Sequence, residues 1–572
     1  MSLESDLITV TAKLNADADA ITMLMGGSGG TPGGSQTFTL PSGYAIAISE
    51  NGLDKLSLGG VIIGNGIVQL IDGSWFYRPF DQAGFTPQVT SKSVSHQPNG
   101  AVVTHTYTGL LNAKVVYTYT VSGNDIHVST HVTNNHATKP LQPAFQSMRF
   151  LRGTGGTYIN LGDQSQTQNN GEGFSYPSVN IPYAASVLSG VPSTAGPQIN
   201  LATWSGEDPN EKFMSMLFSI YPHPGVSVGS VFFNRVPPGG SRIYKYAYRF
   251  QNSTDWKDLL GGYKAALRAA LPTLAYEPDA RPLAQFASIH PTYIRPDNPY
   301  GYNDGGSSAN CVPGKLCRRF DLLAGCENFV SQLVGPMTQT GYQGVVLWNP
   351  QGIHPRGVRY RPDFNSFPAV TIPNLPTLAS GFRNAGLNIG LLARPSIAIT
   401  SANDWDHDTA IEVTDAPGTR ADINLRFDWA SSLGFNAYYL DSFIHSKEDH
   451  DLLKAMRTKV GPNVHFFVEH STALSMALGA SYEQLGNWSN GLVLTQRQQI
   501  LRWLWPESIV AAKYTGALPP GGYATLYQAM FDLKLTPWIE DYRAQVAPAP
   551  GNENGILQPL VASRIGPNKR WL

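Results

Sequence analysis

Gly434-Phe435-Asn436-Ala437-Tyr438-Tyr439-Leu440-Asp441 is an apolar run that stops on a carboxylate, and Asn463-Val464-His465-Phe466-Phe467-Val468-Glu469 repeats the pattern. The two acidic residues are 28 positions apart (469 − 441 = 28), the length of one strand–helix–strand step. Similar apolar segments lie at Ala284–Ile289, Gly344–Trp348, Asn388–Ala393, Leu492–Leu494 and Ser508–Ala512, with a weak eighth near Tyr523–Leu526. Helical patterns separate several of them, at Phe329–Thr338, Leu375–Ala385 and Asp451–Lys459. Eight strands alternating with helices over residues 283–572 predict a (β/α)8 barrel, a fold that takes ~250 residues. Active-site groups of such a barrel sit at the C-terminal ends of its strands.

Upstream the texture is β. Val115, Tyr117, Tyr119 and Val121 alternate with polar residues, as do Ile126, Val128, Thr130 and Val132, and Ser122-Gly123-Asn124-Asp125 between them supplies hairpin turn chemistry. Short runs recur at Tyr44–Ser49, Gly60–Ile67, Ala101–Tyr107 and Val226–Phe233, so residues 37–252 read as an antiparallel sandwich. Ser253-Thr254-Asp255 caps a helical pattern that opens a linker over 253–282, closed by Glu277-Pro278-Asp279-Ala280-Arg281-Pro282. At the N-terminus Leu3, Leu7, Val10, Leu14, Asp17, Ile21 and Leu24 follow 4,3 spacing, the seam of a short coiled coil over residues 1–25. A Gly-rich tether, 26–36, follows it. An amphipathic helix packed on its own domain is the competing reading, but a tethered helix suits binding to another chain. A homo-oligomer, a trimer above all, is expected.

The chain has 572 residues, 42% apolar, 11% aromatic and only 14% charged, with a formal net charge of −1. A usual charged share is about 25%. That balance leaves no electrostatic footprint for nucleic acid or an anionic membrane, and no apolar run is long enough to span a bilayer. Met1-Ser2-Leu3-Glu4-Ser5-Asp6 lacks the basic start of a secretory signal, so a cytoplasmic location, or a virion released by host lysis, is expected. Cys311, Cys317 and Cys326 form no disulfide framework; reduced structural cysteines are expected, with a Cys311–Cys317 bridge or a three-thiolate metal site as alternatives. No phosphate loop or dinucleotide fingerprint occurs, and neither a cofactor nor a metal is expected.

Adjacent parallel strands lie about 4.8 Å apart, which would turn Asp441 and Glu469 toward one cleft. Carboxyl groups about 5–5.5 Å apart suit a retaining glycosidase, one as nucleophile and one as acid/base. A strand-end carboxylate that merely caps the next helix is the plain alternative. Trp348, ending the second strand, is a candidate sugar platform, and Arg394, after the third, a candidate ligand for a hydroxyl or for Asp441. The long aromatic loop from His290 to Asp304 is a candidate substrate wall, with His290 and Asp304 as contacts; Asp363 and Tyr439 complete the substrate-binding set. Each has a bland reading as packing or a structural ion pair. His445, Glu448, Asp449 and His450 read as a solvated loop or helix start.

The order sandwich, helical linker, barrel resembles the retaining α-galactosidase, α-glucosidase and endo-α-N-acetylgalactosaminidase groups. Tyr438-Tyr439-Leu440-Asp441 is similar to their nucleophile segment, and Asn384-Ala385-Gly386-Leu387-Asn388-Ile389-Gly390-Leu391 to the turn that leads into their third strand. Glu469 resembles the acid/base after the fifth strand in the α-amylase and endo-α-N-acetylgalactosaminidase groups, whereas α-galactosidases use an Asp after the sixth. No acidic residue ends the sixth strand here, where Leu494-Thr495-Gln496-Arg497 stands. The resemblance implies a retaining glycoside hydrolase with a carbohydrate substrate and no cofactor. The heptads, the tether and the missing export signal resemble bacteriophage tail fibres or spikes, implying a bacterial surface polysaccharide as substrate. The competing functions are a non-catalytic glycan-binding virion adhesin and a cellular intracellular glycosidase.

Overall fold

The computed structural model describes residues 34–572 apart from 73–87, 109–111, 142, 152–155, 162–166, 169–182, 184, 194, 206–212, 221–224, 233, 306–310, 313, 353–366, 394–396, 400–409, 413–426, 442–446, 470 and 541–545. The heptad seam and most of its Gly-rich tether, with Asp363, Arg394 and His445, lie outside the described residues. The chain divides into two compact units, one of Met1–Pro272 with His445–Lys447 and one of Thr273–Ile444 with Glu448–Leu572.

In the first unit, the described residues form antiparallel sheets of seven and nine strands. The strands Ala113–Ser122 and Asp125–Asn134 make the expected hairpin, in register from Ala113↔Asn134 to Ser122↔Asp125. Gly123, at φ 58°, takes the left-handed turn position that a side chain would resist. Strict alternation puts Val115, Tyr117 and Tyr119 of one strand, and Ile126, Val128 and Val132 of the other, into a core shared with Tyr44, Ile46 and Ile48 of the facing sheet. The helix Trp256–Ala270 belongs to this unit. Asp255 caps it by accepting from the Lys257 N–H, and it buries Leu259, Leu260, Tyr263 and Leu267.

The second unit is a closed parallel barrel of eight strands. They are β1 (Leu283–Ala287), β2 (Gly344–Trp348), β3 (Asn388–Ala393), β4 (Ala437–Leu440), β5 (His465–Glu469), β6 (Ala480–Leu485), β7 (Val510–Tyr514) and β8 (Thr536–Glu540). Gly390 lets β3 and β4 close together, since a Cβ there would meet the Ala437 carbonyl at 2.0 Å.

Two strands differ from the sequence reading. The sixth is Ala480–Leu485, whose Glu483 hid it; that side chain accepts from the Ser481 hydroxyl and the Gln498 amide. Leu494-Thr495-Gln496-Arg497 is a helix start, where Thr495 and Gln498 form a capping box for Gln496–Leu504. The eighth strand is Thr536–Glu540, masked by Pro537, which cannot donate to a ladder; Tyr523–Leu526 is helical, within Gly522–Asp532. The cysteine expectation is also corrected. Cys311 and Cys317 are joined in a disulfide, because the loop folds back to bring their Cα atoms to 5.4 Å, and only Cys326 is free, buried and with its thiol pushed up to about 12. No helix among the described residues is long and apolar enough to cross a membrane.

Candidate active site

The ladder between β4 and β5 runs Ala437↔His465, Tyr438↔Phe466, Tyr439↔Phe467 and Leu440↔Val468. One residue further, Asp441 follows β4 and stands beside Glu469, the last residue of β5. In-register residues of parallel neighbours point the same way, so alternation carries Ala437, Tyr439 and Asp441, and His465, Phe467 and Glu469, to the barrel interior. Both carboxylates are half-buried at the C-terminal rim. Among the described residues neither is seen to cap a helix: the first helix described after Asp441 starts at Lys447, and the turn after Glu469 is closed by Thr472 and Ser475, each donating its backbone N–H to the other's hydroxyl.

Beneath them lies an aromatic floor. Trp348 stacks on Tyr439 with ring centres 4.9 Å apart, and Trp538 meets Trp348, Tyr439, Phe467 and Tyr482 at 6.4, 5.7, 5.4 and 4.9 Å. Trp538 is pinned by its indole N–H, which donates to Gln285 Oε1 at 2.7 Å. Tyr439 is buried, and its hydroxyl bonds the Glu469 carboxylate. Burial, then the charge of Glu469, raises the Tyr439 phenol, which therefore stays protonated and donates. Burial raises Tyr482 as well, reinforced in turn by Glu469, Glu540 and Asp441. Three carboxylates thus act electrostatically on one phenol.

The second strand ends under strain. Asn349 sits at φ 51° directly before Pro350, a conformation that sterics disfavour twice over. Among the described residues its buried Oδ1 has no hydrogen-bond partner, nor do the two buried amide atoms of Gln351. Strain and unsatisfied polar groups concentrate at functional sites.

The other expected contacts fall differently. Trp348, the expected sugar platform, is half-buried in the floor between Tyr439 and Trp538. Tyr439, expected to touch substrate, is buried, with its hydroxyl bonded to the Glu469 carboxylate. Asp304 is fully buried and ion-paired to Arg295, which also holds Asp297 at 2.8 Å. A carboxylate closed off in this way anchors the loop, and the expected substrate contact does not fit it. His290 is exposed and local: its Nδ1 accepts from the Thr292 N–H at 3.3 Å, starting the turn Pro291–Tyr293. His450 and Asp449, expected to be solvated, are buried, with His450 Nε2 2.8 Å from the Thr472 hydroxyl. Among the described residues no group of three His, Cys, Asp or Glu side chains could hold a metal ion. Sequence reasoning missed Tyr482, Lys513, Trp538 and Glu540. The first and the last two lie on the strands misplaced above.

No protein-family model matches the chain, and no curated protein matches it in sequence. Solved structures do match in fold. An α-N-acetylgalactosaminidase from Bifidobacterium bifidum, in complex with GalNAc, superposes with a TM-score of 0.55 over 92% of this chain and 92% of that one, at 12% identity. A quadruple mutant of the same enzyme gives 0.53, with the same coverage and 13% identity. The chain therefore shares the fold of that enzyme over most of its length.

Proposed function

We propose that the chain is a retaining glycoside hydrolase in which Asp441 is the nucleophile and Glu469 the general acid/base. One observation carries the reading: two inward carboxylates that continue the β4–β5 register at the ends of adjacent barrel strands. Asp441 attacks the anomeric carbon and forms a glycosyl-enzyme, while Glu469 protonates the departing oxygen and then deprotonates the incoming water. Tyr439, donating to Glu469, sets the direction of that carboxyl group. The shared fold with an α-N-acetylgalactosaminidase supports an α-linked galactose-type sugar as the substrate class.

A screen of purified protein on 4-nitrophenyl α- and β-glycosides and on bacterial surface polysaccharides tests the activity. Asp441→Asn is expected to lower turnover by several orders of magnitude. Glu469→Gln removes a proton donor, a contribution of about 10²–10⁴-fold, and azide should restore its turnover on activated substrates with retained configuration. A folded Asp441→Asn protein with near-normal turnover sinks the assignment.

The heptad seam supports, as part of the same proposal, a homo-oligomeric virion enzyme that trims a surface polysaccharide. Removing residues 1–36 should then lower the mass seen by light scattering, a trimer becoming a smaller species, with hydrolysis preserved. An unchanged mass would return the seam to an ordinary amphipathic helix.

A further inference from the structure

The barrel mouth has a second polar wall that the two-carboxylate chemistry leaves unused. On β7, Ala511 is in register with the inward Tyr482, so Lys513, two residues on, also points inward at the C-terminal rim. On β8, Trp538 belongs to the aromatic floor, so Glu540, again two residues on, does the same. Lys513 Nζ forms an ion pair with Glu540, and both remain reachable from solvent, with side chains 21% and 48% exposed.

Their place around the ring matters. Glu540, on β8, lies four strands from Asp441 on β4, directly across the barrel. Eight strands spaced about 4.8 Å apart and tilted about 36° close a ring roughly 15 Å across. Once side chains project from both walls, the remaining gap suits one pyranose ring. The closed strand order sets the two walls on opposite sides of one mouth, and Tyr482, on the wall between them, feels the charges of Glu469, Asp441 and Glu540 alike.

The chemistry of the pair narrows its ligand. An ammonium only donates hydrogen bonds and a carboxylate only accepts them. Side by side they match two neighbouring hydroxyls, one accepting from Lys513 and the other donating to Glu540. A carboxylated sugar would have to break the pair and would meet three carboxylates in the same space.

We infer that Lys513 and Glu540 clamp the far edge of the bound sugar and restrict the substrate to neutral pyranoses with a free vicinal diol. This rests on Asp441 and Glu469 being the catalytic pair. Both are specificity residues, acting on the part of the ring turned away from the bond that breaks.

The probes are 4-nitrophenyl α-galactoside and α-N-acetylgalactosaminide, their 3-deoxy and 4-deoxy counterparts, and the α-galacturonide. On whichever parent glycoside is hydrolysed, Lys513→Met and Glu540→Gln should each raise KM about ten-fold or more with a smaller change in kcat, the signature of lost uniform binding. Deleting the clamped hydroxyl should cost the wild type a similar factor and cost the matching variant nothing further, a non-additivity that a merely structural role would not produce. Lys513→Arg should recover part of the loss, and the galacturonide should be a poor substrate. An unchanged KM in Lys513→Met, fully additive deoxy penalties, or a galacturonide hydrolysed as well as the galactoside overturns the inference alone, provided turnover depends on Asp441. Absence of turnover, or turnover indifferent to Asp441→Asn, overturns the catalytic assignment and takes the inference with it.

Discussion

In the sandwich, Tyr44, Tyr107, Tyr117, Tyr119, Tyr244 and Tyr248 are fully buried between two sheets, and the hydroxyls of Tyr44 and Tyr244 are tied to backbone. Tyr44 donates to the Gln198 carbonyl at 3.1 Å and accepts from the Asn200 N–H at 3.2 Å, and Tyr244 donates to the Asn234 carbonyl at 2.7 Å. In the barrel, Tyr439 and Tyr482 are as deeply placed, yet their electrostatic neighbours are the carboxylates Glu469, Asp441 and Glu540. One residue type therefore serves two ends. Where a phenol meets backbone it completes a core; where it meets carboxylates at a strand end it becomes part of the proposed site.

The largest test of that difference is truncation of an aromatic in each unit. Trp538→Ala removes contacts with four rings and the hydrogen bond to Gln285, and should cost about 3–5 kcal/mol in denaturant unfolding while abolishing turnover. Tyr44→Ala should cost a similar amount of stability and leave kcat per folded molecule unchanged. Equal loss of turnover in both would break the comparison.

Acid should expose a similarity next. Burial, partly opposed by the bond to the Glu50 carbonyl, lowers His105 of the sandwich to about 4, and burial lowers His465 of the barrel to about 4. The unfolded chain, at about 6.5, binds protons before the folded one, so the contribution of each histidine is present above pH 6.5 and is lost as pH falls toward 4. For fully buried His105 that loss is about 3 kcal/mol. His105→Gln should flatten this part of the stability profile; an unaltered slope between pH 6.5 and 4 would contradict it.

The smallest effect sharpens the contrast. Tyr439→Phe removes the bond to Glu469 and should lower turnover about ten-fold with little change in stability. Tyr44→Phe should do the reverse, costing about 1 kcal/mol and sparing turnover. Stability curves and kcat measured together on the same two proteins decide it.

Much of this was legible before folding. The hairpin at 113–134, the cap at Asp255 and the first five barrel strands follow from alternation, turn residues and apolar runs, all of which act within about ten residues. The sixth and eighth strands were not legible, because Glu483 and Pro537 break the apolar signal and only partners far along the chain make those segments strands. The misplacement propagated: with the wrong strand ends, Tyr482 and Glu540 could not be read as mouth residues. Asp304 failed for a different reason. Its spacing gave no warning that Arg295 would take it out of solvent.

By itself, then, the sequence determined the repeating strand–helix texture, the 28-residue step from Asp441 to Glu469, and the alternation that fills the sandwich, because these depend on periodicity and local geometry. Tertiary structure alone decided that Cys311 meets Cys317, that Tyr439 turns its hydroxyl to Glu469, and that Lys513 and Glu540 stand across the mouth from Asp441. For the mouth residues the physical reason is closure. A ring of eight strands brings side chains about a hundred residues apart into one small space, and no local pattern encodes which of them will face one another there.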